Sequence, residues 1–130
     1  MVKNQVVIAG GGRVGEEIAR ILAEREEEFT IVEINPLKVD RLKEKKYNII
    51  QGNVEEEETL IEAGIKNARK FIITLPKAET NISIISTAKE LNKTMEINAR
   101  AEHSDFIEKL KKAGANLVIV PEVVAGSKLA

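Results

Sequence analysis

The chain has 130 residues, enough for one domain with a real core. Its 20 basic and 21 acidic residues leave a formal net charge of −1, which removes the electrostatic case for gripping nucleic acid or anionic lipid. With no cysteine and one histidine, a disulfide framework, a cysteine nucleophile and a thiolate metal site are excluded, zinc is implausible, and a reducing cytoplasm is the expected setting.

Met1-Val2-Lys3-Asn4 runs straight into a first strand over residues 5–9, without the apolar region of a signal peptide. Gly10-Gly11-Gly12-Arg13-Val14-Gly15 follows, and a helix is predicted over 13–25 from apolar residues at three- and four-residue spacing. The next strand, 29–33, ends on Glu33. Asn35-Pro36 then starts a helix over 36–45, with proline in its first turn. After a strand over 48–51, the Glu55-Glu56-Glu57-Glu58 run opens a helix over 56–63 that Gly64 can end. Four consecutive acids cannot share one helix face, so they suit the positive end of the helix dipole better than a cation site. A strand over 70–75 leads into a helix over 77–91, in which Ile82, Ile84 and Ile85 spread wider than one core stripe. These isoleucines face either the sheet or another subunit. A strand over 95–99, a helix over 104–113 closed by Lys111-Lys112 and Gly114, and a strand over 117–120 complete the pattern. The last ten residues, from Pro121, start like a sixth helix and stop without a polar cap, so a truncated chain is expected.

Strict alternation of strand and helix calls for right-handed crossovers and a parallel sheet covered on both faces, consistent with the continuously apolar Val6-Val7-Ile8 and Phe71-Ile72-Ile73. The expected fold is α/β, a doubly wound, three-layer α/β/α domain of six parallel strands in the order 321456. No run approaches the roughly 18–20 apolar residues that cross a bilayer, so direct membrane insertion of this chain is not expected.

Gly10-x-Gly12-x-x-Gly15 is a weak signal alone. Here it follows a strand, opens a helix and is answered by Glu33 at the end of the next strand. Gly10 permits the tight turn, Gly12 lets a diphosphate approach the backbone, and Gly15 lets the helix press close. Amides at the helix start face the phosphates. Glu33 can accept from both hydroxyls of an adenosine ribose and would repel a 2′-phosphate, which places NAD, ATP, ADP or AMP ahead of NADP. Arg13 either folds over a terminal phosphate or is an exposed first-turn arginine.

Catalytic equipment is thin. Tyr47 has no lysine four positions on, His103 is expected to be solvated at a helix start, and no P-loop is present. Binding without turnover is the expected class, with the nucleotide-binding half of an NAD-dependent oxidoreductase as the alternative.

The chain as a whole resembles the RCK or KTN (TrkA-N) domains of potassium channel and potassium uptake regulators. The resemblance is carried by residues 7–15, Val32-Glu33, Gln51-Gly52-Asn53, Ala78-Glu79-Thr80-Asn81, Asn98-Ala99-Arg100-Ala101 and residues 110–121. It implies a Rossmann-like fold that binds NAD(H) or an adenine nucleotide, and a homodimer or octameric ring at the inner face of the membrane. Residues 1–130 would be the N-terminal nucleotide-binding domain, cut before a C-terminal domain, acting on a membrane potassium channel or transporter subunit. Carried over, Arg13 would meet phosphates, Asn53 the region beside the base, and Arg100 the phosphate side. The candidate nucleotide-binding set is therefore Gly10, Gly11, Gly12, Arg13, Val14, Gly15, Glu33, Ile34, Asn53, Val54, Thr74, Leu75 and Arg100. The chain departs from the family at Asn53, usually aspartate, and at Arg100, a carboxylate in calcium-gated members. Only Glu102 keeps their acidic character there, so no metal site is expected.

Overall fold

A computed structural model describes residues 5–130; the lead-in Met1-Val2-Lys3-Asn4 lies outside them. The elements alternate along the chain: β1 (Val6–Ala9), α1 (Arg13–Glu24), β2 (Phe29–Glu33), α2 (Pro36–Glu44), β3 (Ile49–Gln51), α3 (Glu57–Glu62), β4 (Lys70–Ile73), α4 (Ala78–Leu91), β5 (Glu96–Arg100), α5 (Ile107–Ala113), β6 (Leu117–Ile119) and α6 (Pro121–Leu129). All strand pairs are parallel, and the sheet order is β3-β2-β1-β4-β5-β6, the expected 321456.

Local chemistry sets the boundaries. Asn35 caps α2, its side-chain oxygen accepting from the amides of Leu37 and Lys38, with Pro36 in the first turn as read from the sequence. Gly64 and Gly114 follow α3 and α5 at positive φ, 91° and 131°. α1 and α2 end without glycine, so Glu26 and Lys46 take the left-handed conformation themselves. β4 stops two residues sooner than expected; the Thr74 amide and hydroxyl both donate to the Ala9 carbonyl, at 3.0 and 2.8 Å, and make the last tie between the exits of β1 and β4. The expected fifth helix divides into a 3₁₀ turn, Ser104–Phe106, followed by α5.

Successive strand residues point to opposite faces, and two buried clusters mark those faces. Val7, Ala9, Phe71, Ile73, Ile97 and Ala99 pack beneath α3, α4 and α5 with Leu60, Ile84, Ile85 and Leu110. Ile84 and Ile85 therefore belong to the core of the chain. Val6, Ile8 and Ile31 pack on the other face with Ala19, Leu22 and Leu42 of α1 and α2.

The second face is covered only in part. β1 is buried along its whole length, whereas burial alternates along β4 and β5, and no residue of α6 is buried. Ile72, Asn98 and Leu117 lie side by side across β4, β5 and β6, with Arg100 beside Ile119 one step further on. α1 reaches only the near edge of this half-face, at Ile72, which falls short of the two-sided cover expected of the apolar Phe71-Ile72-Ile73 run. Among residues 5–130 no helix is long and apolar enough to cross a membrane.

Candidate functional site

The sheet order puts the first crossover of opposite sense between β1 and β4, and ligands of open α/β sheets bind at the carboxyl ends of such strands. The glycine loop sits there. Gly10 has φ +106°, and a Cβ on it would meet the Thr74 hydroxyl at 2.3 Å. Gly15 packs from beneath: a Cβ would lie 1.9 Å from the Gly10 carbonyl oxygen, so only glycine lets α1 start so close to β1. Gly12, by contrast, faces open space. The nearest atom a Cβ there would meet is the Lys38 ammonium nitrogen at 3.9 Å. Gly12 caps α1 without a side-chain hydrogen bond, which leaves the first-turn amides for an anion.

Glu33 is 8% exposed at the end of β2 and braces the loop. One carboxylate oxygen accepts from the Gly11 amide at 2.7 Å, the other from the Asn35 amide at 2.8 Å. Each oxygen has a second lone pair for a ribose hydroxyl. Glu33 is thus a latch for the ligand-free loop as well as a candidate ribose acceptor.

The cleft above this loop, about 420 Å³, is lined by Gly10, Gly12, Arg13, Val14, Glu33, Ile34, Thr74, Leu75 and Arg100 of the predicted set. A smaller hollow beside it, about 160 Å³, joins Glu33 and Ile34 to Asn53 and Val54 after β3 and to Leu75 after β4. Asn53 makes an Asx turn, its side-chain oxygen accepting from the Glu55 amide at 2.9 Å. Gly11 and Gly15 line neither space; they shape the loop from behind. Thr74 is buried and spends its hydroxyl on the Ala9 carbonyl, so its part is to fix the end of β1. Arg13 lies exposed at the rim.

Sequence reasoning passed over three residues of this cleft: Asn35, Lys38 and Pro76. Lys38 offers a cation beside Gly12, and the one available signal was its place in the first turn of the helix that follows Glu33. Asn81 entered only as part of the family resemblance, with no role assigned to it. Completely buried in α4, Asn81 donates to the carbonyls of Leu75 and Arg100, both at 2.8 Å, and so ties together the exits of β4 and β5. Glu102 accepts from the Ala78 amide at 3.1 Å and fastens the start of α4 to the chain after β5. Tyr47 packs edge-on against Phe29, and the ring nitrogen of His103 accepts from the Asp105 amide at the start of the 3₁₀ turn; neither lines the cleft.

The model of the TrkA-N domain matches residues 6–121. This chain belongs to the TrkA-N domain family. It is 36% identical, over 99% of its length, to probable potassium channel protein 2 of Methanocaldococcus jannaschii, and spans 38% of that relative. Its structure is similar to the TrkA-N domain of the inner membrane protein ybaL of Escherichia coli, with TM-score 0.94 and 27% identity, covering 98% of this chain and 95% of that one. It is also similar to the GsuK channel bound to NAD, with TM-score 0.83 and 25% identity, over 92% of this TrkA-N domain and 22% of that chain.

Proposed function

We propose that this TrkA-N domain is a non-catalytic nucleotide sensor whose ligand, NAD(H) or an adenine nucleotide, gates potassium movement through a membrane channel or transporter. The observation that carries the reading is the glycine-loop cleft with a buried acid at the end of β2: open amides and Lys38 beside Gly12 for phosphate, and Glu33 with spare lone pairs for ribose. The potassium side rests on relatives such as the potassium channel protein of M. jannaschii. Gly10, Gly11, Gly12, Val14 and Gly15 form the cradle, Arg13 and Arg100 meet phosphate oxygens, and Ile34, Asn53, Val54 and Leu75 enclose the base.

Sensing requires two states of different affinity, and a change in subunit geometry supplies them. The domain accordingly works as a homodimer or larger ring on the cytoplasmic side of its membrane partner.

Calorimetry with AMP, ADP, ATP, NAD, NADH and NADPH tests the binding. Nucleotides with a free 2′-hydroxyl are expected to bind and NADPH is not; NADPH as the tightest ligand overturns the reading of Glu33. Potassium flux in cells carrying the intact protein tests the gating. Gly12→Asp, which puts a carboxylate into the open space before the α1 amides, is expected to abolish the response to nucleotide. A flux response unchanged by this variant refutes the sensor role.

A further inference from the structure

Leu75, just after β4, and Arg100, the last residue of β5, both line the cleft. Their main-chain carbonyls are held from α4, where the completely buried Asn81 amide donates to each at 2.8 Å. A second tie lies two residues further on. The Glu102 carboxylate accepts from the Ala78 amide through both oxygens, at 3.1 and 3.3 Å. α4 has no capping side chain of its own, because Lys77 stands at its N-cap, so Glu102 supplies the acceptor and the negative charge that a helix start favours. Glu102 is itself exposed and lines neither the cleft nor the hollow beside it. Asn81 meanwhile keeps its side-chain oxygen buried without a partner. An orphaned buried acceptor costs stability, so what this side chain contributes is its two donors.

We infer that Glu102 is a positioning residue of the nucleotide site, and that through it α4 is the helix that feels whether the cleft is occupied. The inference rests on the nucleotide reading above and adds the route of its regulation. Asn81 and Glu102 bind residues 100–102 and the first turn of α4 into one unit. A phosphate that engages the Arg100 guanidinium therefore acts on that turn as well. Further along the same helix, Ile84 and Ile85 sit in the core shared with Leu60 of α3 and Leu110 of α5. Close packing passes a shift of α4 to both neighbours, so occupancy is read out on the α3–α4–α5 face of the sheet.

ADP titrations of the wild type, Glu102→Ala, Arg100→Ala and the double variant separate positioning from plain charge and from lost stability. Glu102→Ala is expected to weaken ADP about fivefold, although removing a negative charge would by itself tighten an anion. Glu102→Gln, which keeps an oxygen for the Ala78 amide, is expected to restore the wild-type affinity. In the Arg100→Ala background, Glu102→Ala is expected to change ADP affinity by less than about twofold, because the residue it positions is gone. Amide exchange follows the helix. ADP is expected to slow exchange at residues 78–82 in the wild type and in Glu102→Gln, and not in Glu102→Ala. Tighter binding by Glu102→Ala, an equal loss in both Arg100 backgrounds, or slowing at 78–82 that survives Glu102→Ala overturns the inference and leaves nucleotide sensing intact. Failure of ADP and NADH alike to bind the wild type overturns the nucleotide reading, and this inference with it.

Discussion

Replacing Glu33 with alanine removes two hydrogen bonds that exist before any ligand arrives. The two amides it abandons are not equivalent. Asn35 is exposed, so water can replace the carboxylate at its N–H, whereas Gly11 is buried behind the loop. A buried donor left unpaired costs about 1–3 kcal/mol, and losing a hydrogen bond to a charged acceptor about 1.5–3 kcal/mol where water substitutes poorly. These figures describe the same loss at Gly11, so Glu33→Ala is expected to destabilise the ligand-free domain by about 2–3 kcal/mol. Glu33→Gln keeps one acceptor for the Gly11 amide and turns its NH₂ toward the Asn35 side, where solvent relieves the clash; a cost of about 1 kcal/mol follows. Urea unfolding without nucleotide, at constant m, measures both. If the two variants unfold at the wild-type midpoint, the latch does not hold the loop and the reasoning from these bonds fails. If they fall in the expected order, lost nucleotide affinity in Glu33→Ala must be corrected for loop release before it is assigned to the ribose.

Gly15→Ala sets a methyl 1.9 Å from the Gly10 carbonyl oxygen. Because backbone must move, a loss of at least about 2 kcal/mol in urea unfolding and a displaced loop with at least about tenfold weaker nucleotide binding are expected; wild-type stability would refute the contact. Lys46 holds φ 65° after α2 with no glycine to ease it, so Lys46→Gly is expected to raise the thermal midpoint, by about 0.5–1 kcal/mol at that temperature. Asn81→Leu removes both donors that tie Leu75 to Arg100 and leaves two carbonyls to find other partners, at a cost of about 2–4 kcal/mol. Faster amide exchange at the ends of β4 and β5 would accompany it, and unchanged exchange there would refute the tie.

Much of the fold could be read along the chain because it depends on local rules. Glycine spacing, the Asn35-Pro36 start, Gly64 and Gly114 at helix ends, and alternation of apolar runs each act within a few residues. Their agreement leaves little freedom beyond a parallel, right-handed α/β sheet. Most of the candidate cleft was legible for the same reason: strand ends and the loops after them are where such sheets place ligands.

Tertiary structure decided what those residues do. Thr74 was singled out as a contact; it lines the cleft, and its hydroxyl also braces the Ala9 carbonyl at the end of β1. Asn81 belonged to a motif of the resemblance, but its role was hidden, because its two partners lie at the exits of β4 and β5 and meet only when those strands pair. The open half-face is likewise invisible to periodicity: Phe71-Ile72-Ile73 reads as buried on both sides, yet Ile72 is only half-buried, at the edge of the cluster under α1 and α2 where their cover runs out. From the sequence by itself came a nucleotide loop and its acid. Packing made the acid a latch for that loop and tied the exits of β4 and β5 to α4, because hydrogen-bond satisfaction and cover are settled between elements distant in sequence.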